Sequence, residues 1–174
     1  SLKGELIKLI KNQNGIVVAT TFASNIARLL TLARCAHSSG RSILVLGRAM
    51  HTMISAAISV GILKDFPPII STKQALETPR SNLFILATGS QGEGRAASAQ
   101  LSRDKYMDIM LQEGDCFLFS SKTIPGNELP VSKIINGFMS RGIKVINDDS
   151  GLFHVSGHAN RPDLERLHKI CDPL

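Results

Sequence analysis

Several chemistries are missing from this 174-residue chain. No apolar run approaches the roughly 20 residues that a membrane-crossing helix needs. The amino terminus, SLKGELIKLIKNQ, has neither the apolar core nor the cleavage site of a secretory signal. Its Leu2, Leu6, Ile7, Leu9 and Ile10 fall among lysines in the pattern of an amphipathic helix. Cysteine is scarce: Cys35, Cys116 and Cys171 stand far apart, each in apolar surroundings, with no CxxC and no Cys/His zinc spacing. They read as buried free thiols, which fits a reducing cytoplasm. No HxHxDH or HExxH run offers a metal site, and no GxxxxGK[ST] offers a P-loop. The glycines at 89–94 are spaced GxxGxG, not the GxGxxG that a dinucleotide needs after a first strand. No GxSxG elbow carries a serine nucleophile.

What is present is an ordinary globular composition, 43% hydrophobic and 20% charged, long enough for one domain with a sizeable core. The net charge of +6 favours an anionic partner, nucleic acid first.

Strand, loop and helix then repeat along the chain. GIVVAT (15–20), SILVLG (42–47), LFILAT (83–88), CFLFSS (116–121) and GIKVIN (142–147) are short apolar runs of buried-strand character, and LFHVS (152–156) is a shorter one. Between them, 24–40, 49–61, 71–78, about 96–103 and 127 to about 141 carry helical spacing, and 161–172 reads as a last helix with Pro162 in its first turn. Ser24 or Asn25 is the expected N-cap of 24–40, and Gly40 its stop. The prolines of DFPPIIS (65–71) allow at most a short edge strand. This alternation predicts an α/β fold: a layered domain with a mainly parallel sheet flanked by helices. The five methionines at 50, 53, 107, 110 and 139 are expected to fill core. His37, His51 and His168 fall in helices with no partner group in view. Residues 1–174 read as a single domain, and the ending CDPL, like the lead-in to a further strand, suggests a domain cut from a longer protein.

In open α/β sheets, ligands gather beyond the carboxyl ends of the strands. There the sequence places Thr20-Thr21-Phe22-Ala23-Ser24-Asn25, Gly47-Arg48, Thr88-Gly89-Ser90-Gln91-Gly92-Glu93-Gly94, the run Ser120 to Glu128, and Ser156-Gly157-His158-Ala159. Glycines let an anion approach the backbone, hydroxyls and helix-start N–H groups donate to it, and Arg48 and Lys122 add positive charge. Taken singly, each has a plainer reading. TGSQGEG is also a surface loop, IPGN a turn, and His154 and His158 structural histidines. Their sharing of one edge is what outlines a site for a phosphate backbone.

The runs VVATTFASNIARL, ILVLGRAM, ILATGSQGE, FSSKTIPGNE and HVSGHAN, in this order and spacing, resemble the β-CASP domain of ribonuclease J, within the metallo-β-lactamase-fold nucleases. The resemblance covers about residues 15–172. It implies a cytoplasmic RNA-processing and RNA-degrading hydrolase that joins endonucleolytic cleavage to 5′-to-3′ exonucleolytic trimming and prefers 5′-monophosphate ends. It implies two zinc ions in a metallo-β-lactamase domain into which the β-CASP domain is inserted, and a homo-oligomeric parent. By the same resemblance, His154, Val155, Ser156, Gly157, His158 and Ala159 form the loop that holds an RNA phosphate. His158 would be the histidine beside the metal centre that assists at the scissile phosphate. Thr88, Gly89, Ser90 and Gln91 would line the RNA channel. Asn127 and Glu128 match motif positions that either hold the neighbouring loop or touch RNA.

The zinc-binding HxHxDH motif is missing here, so the resemblance implies RNA positioning without hydrolysis by these residues alone, and no metal bound to them. Two rival readings stay open. One is a stand-alone phosphate- or nucleotide-binding module without hydrolysis. The other is a structural or assembly domain in a degradation complex.

Overall fold

The computed structural model describes residues 2–147 of the chain. Seven strands and six helices follow in order. They are α1 (Leu2–Lys11), β1 (Val17–Thr20), α2 (Ile26–Ser38), β2 (Ser42–Leu46), α3 (Arg48–Ser59), α4 (Thr72–Glu77), β3 (Leu83–Ala87), α5 (Ala97–Arg103), β4 (Lys105–Tyr106), β5 (Ile109–Met110), β6 (Cys116–Phe119), α6 (Glu128–Ser140) and β7 (Lys144–Asn147). The expected strand 152–156 and last helix 161–172 lie outside the described residues.

Five strands form one sheet in the order β2-β3-β1-β6-β7, every pair parallel. Their residues alternate between two cores. Val17, Ala19, Ile43, Val45, Phe84, Leu86, Cys116 and Leu118 meet Leu6 and Ile10 of α1, Leu29 and Leu32 of α2, and Met50 and Ile54 of α3. Val18, Leu44, Leu46, Ile85, Ala87, Phe117 and Phe119 meet Ala75 of α4, Leu101 of α5, and Val131, Ile134 and Phe138 of α6. Apolar side chains on both faces are what a sheet covered by two helical layers requires. Phe117 stacks on Phe138 with centroids 4.3 Å apart.

The helices begin and end by ordinary means. Asn25 caps α2 by accepting from the Arg28 N–H at 3.1 Å, and Ser71 and Gln74 form a reciprocal capping box on α4. The DFPPIIS segment makes one parallel bridge, Ile69 to Ile43, at the outer edge of β2.

Three expectations are corrected. Of the five methionines only Met50 is core; Met53, Met107, Met110 and Met139 are exposed. They lie on outward faces of α3 and α6 and on a hairpin, and an unbranched apolar side chain there signals no burial by itself. That hairpin, β4–β5, was not anticipated: two-residue strands carry too little alternation to register. His51 does have a partner, its Nε2 lying 2.8 Å from the Val45 carbonyl on the outer side of edge strand β2.

Candidate nucleic-acid interface

Strand order decides where a ligand site forms. From β1 the chain enters α2 on one face of the sheet, whereas from its neighbours β3 and β6 it enters α5 and α6 on the other. The loops leaving β1 and those leaving β3 and β6 therefore diverge, the topology that makes a crevice at the carboxyl end of such a strand in open α/β sheets. Such switch points are where open α/β sheets bind ligands.

Hydroxyl groups line its base. Thr20, Thr21, Ser120 and Ser121 are all buried. The Thr20 hydroxyl donates to the Ala87 carbonyl at 2.8 Å, tying β1 to β3, and the Thr21 hydroxyl reaches the Ser120 carbonyl at 3.4 Å. Arg28, from the first turn of α2, is 4% exposed and donates from Nε to Ser120 Oγ at 2.6 Å. Sequence reasoning missed Arg28, because its place on α2 reads as one more polar position of an amphipathic helix; a charge on the buried stripe was the available signal. The two cations that the sequence did place at this edge, Arg48 and Lys122, are both exposed.

The TGSQGE loop is built by its own backbone contacts. Thr88 continues β3 by donating its N–H to the Leu46 carbonyl, and its hydroxyl accepts from the Ala97 N–H at the start of α5, at 3.2 Å. Ser98 donates its hydroxyl to the Gly89 carbonyl at 2.8 Å. Gly89 has φ +107°, and a Cβ there would strike the Ser98 side chain, so both backbone and space require glycine. Ser90 and Gln91 are buried.

Gln91 reaches across to the TIPGNE loop. Its Nε2 donates to the Lys122 carbonyl at 3.0 Å, and its Oε1 accepts from the Ile124 N–H at 2.8 Å and from Asn127 Nδ2 at 3.2 Å. Gly92, at φ +81°, lies so close to Pro130 and Val131 that a Cβ would fall 2.6 Å from the Pro130 carbonyl carbon. Glu93 accepts the Gln91 N–H, and Glu128 accepts the Gly126 N–H, each at 2.9 and 2.8 Å respectively. Asn127 and Glu128 thus each make a side-chain contact within this loop pair. Thr88, Gly89, Ser90 and Gln91 stand together at the crevice. The residues 154–159, with His154 and His158, lie outside the described residues.

At the opposite edge two buried charges are used internally. Arg41, buried, donates to the carbonyls of Ile10, Gln13, Gly15 and Leu83 at 2.6–3.1 Å. Asp115, also buried, accepts the N–H groups of Ile16 and Gln112 at 2.8 Å each and pairs with Arg80. Neither presents charge to a ligand. The two described thiols are no nucleophiles either. Burial pushes the Cys116 thiol up to about 11 against the opposing pull of Lys144 and Arg41, and burial likewise raises Cys35. Among the described residues no group of three His, Cys, Asp or Glu side chains is placed to hold a metal ion. The donor set for a zinc pair is thus not found there, and no helix among them is long and apolar enough to cross a membrane.

Comparison with known proteins adds three findings. A family model described as "Ribonuclease J, beta-CASP domain" matches residues 14–138, more than half of the chain. The chain is 38% identical over 168 residues to ribonuclease J of Sinorhizobium meliloti, covering 97% of this chain and 30% of that protein. It is 34% identical over 169 residues to ribonuclease J 1 of Streptococcus pyogenes and 31% identical over 169 residues to ribonuclease J of Thermus thermophilus, with 97% and 30% covered in both cases. The chain therefore spans about 30% of the length of these curated relatives.

Proposed function

The chain belongs to the ribonuclease J β-CASP domain family, and from that premise we propose that it is the RNA-positioning domain of a ribonuclease. The observation that carries this reading is the asymmetry of the sheet. Its carboxyl edge gathers hydroxyls, glycine-rich loops and the exposed Arg48 and Lys122 at a topological switch point, while the buried Arg41 and Asp115 of its amino edge are consumed internally. Cationic side chains, hydroxyls and glycine backbone are the groups that hold a phosphate chain.

In this reading the domain holds RNA phosphates along the crevice, with the loop Thr88–Gln91 lining the channel. His154, Val155, Ser156, Gly157, His158 and Ala159 supply the phosphate loop, and His158 assists at the scissile phosphate. What supports these last roles is the match of HVSGHA to the family pattern. The hydrolytic centre, with two zinc ions, belongs to a metallo-β-lactamase domain of a longer, homo-oligomeric, cytoplasmic protein. That protein cuts RNA internally and trims it 5′ to 3′, favouring 5′-monophosphate ends. The relatives' greater length is consistent with such a partner domain.

The test is a titration of the chain with a short 5′-monophosphorylated RNA at several salt concentrations. Affinity should fall steeply with salt, and Arg48→Ala and Lys122→Ala should each flatten the log–log slope by about one unit. The RNA should stay intact when zinc is added. An affinity indifferent to salt, or matched by a mononucleotide alone, would move the reading to a small-ligand module; cleavage by the chain would overturn the placement of the catalytic centre.

A further inference from the structure

Gln91 poses a question that its place in a phosphate-binding loop does not answer. It sits at the crevice, yet it is only 8% exposed, and its amide makes three hydrogen bonds to one segment 31–36 residues further on. One amide hydrogen holds the Lys122 carbonyl, and the oxygen takes both Ile124 N–H and Asn127 Nδ2. The carbonyl oxygen has two lone pairs and both are engaged. An RNA phosphate would therefore compete with bonds already made. Next to Gln91, Gly92 lies against Pro130 and Val131, so the two loops touch through backbone as well.

Lys122 is the residue this arrangement places. It follows directly on the buried pair Ser120-Ser121, its own carbonyl is the one gripped by Gln91, and its side chain is exposed. Without the grip, the segment 122–127 would keep its turn bond, Asn127 N–H to the Ile124 carbonyl, the Gly126–Glu128 contact and the Val131 N–H to the Asn127 carbonyl at the start of α6; none of them reaches the TGSQGE loop. A long cation gives most to a phosphate when its backbone is fixed beforehand, because less ordering is left to the binding step.

We propose that Gln91 is a positioning residue that locks the TIPGNE loop onto the TGSQGE loop and thereby sets Lys122 against the RNA backbone, without touching RNA itself. This rests on the function proposed above. It changes the role of Gln91 from ligand to clamp, and it names Lys122 as the phosphate contact of this loop pair.

The experiment is a double-variant cycle on the full chain with the same 5′-monophosphorylated RNA. Gln91→Met keeps volume and removes every polar atom of the clamp. Asn127→Ala removes one of its three bonds, and the Asn127 side chain makes no capping bond to α6, so the helix start is left alone. Amide hydrogen exchange without RNA is measured first. Ile124 N–H should exchange faster in Gln91→Met, with a smaller change in Asn127→Ala. With RNA, Gln91→Met should lower the salt slope although it alters no charge, a response that loss of stability alone would not give. Lys122→Ala should lower it by about one unit. The two changes combined should weaken binding no more than Lys122→Ala alone.

Additive losses, or a weaker affinity in Gln91→Met at an unchanged salt slope, would mean that Gln91 contacts RNA directly and would overturn the inference alone. Unchanged exchange at Ile124 would overturn the clamp itself. If the unaltered chain binds no RNA while Ile124 stays protected, the functional reading fails and the assignment of Lys122 fails with it.

Discussion

Cys116 opens β6 with its side chain fully buried, and burial raises its thiol to about 11 from the ordinary 9.0. The unfolded chain releases this proton near pH 9, whereas the folded chain keeps it to about 11. The folded state therefore binds the proton more tightly. That contribution is intact below pH 9 and is lost as the pH rises toward 11. Denaturant unfolding from pH 7 to 10.5 should show an alkaline decline in stability that is shallower in Cys116→Ala than in the unaltered chain. The variant should also be less stable at neutral pH, because it leaves a small cavity in a packed sheet. Equal alkaline slopes would remove Cys116 as their cause. At this same scale the sequence told only part of the story. Buried free thiols were legible for Cys35 and Cys116 from their apolar neighbours. The burial of Arg28 was not, because a lone arginine on an amphipathic helix ordinarily faces water.

Elements were legible wherever periodicity ran for several turns or a strand was apolar on both sides. The helices α2, α3 and α6 and the five sheet strands fall within a few residues of the expected spans. The β4–β5 hairpin shows where that signal fails. Its strands have two residues each, and its turn residues, Met107 and Asp108, take φ +50° and +64°. Both central residues in the left-handed region define the tight hairpin turn that favours Asn-Gly. Met-Asp carries no such cue, so the sequence conceals the turn. Placing Asn at 107 and Gly at 108 should relieve the backbone and raise stability by about 1 kcal/mol, read as a shift in denaturant midpoint at unchanged slope. No gain would mean that the turn is held at no cost by its neighbours.

For the whole molecule, the sequence gives the class of sheet but not its order. Five apolar strands alternating with helices imply parallel pairing. That β1 lies between β3 and β6, and that the loops leaving it and its neighbours diverge, depends on packing choices that no local pattern records. The same holds for the site. TGSQGE and TIPGNE could each be picked out as glycine-containing loops after strands. Their bonding to one another through Gln91 joins residues more than 30 positions apart and is visible only in three dimensions. In the proposed function the carboxyl edge is the RNA face. The most direct measurement of it is a residue-resolved NMR titration of the chain with a short 5′-monophosphorylated RNA. Shifts are expected at Thr20–Thr21, Thr88–Gly92 and Ser120–Asn127, with Arg41, Arg80 and Asp115 at the other edge unmoved. Shifts confined to that other edge, or none at the crevice while the fold is intact, would contradict it.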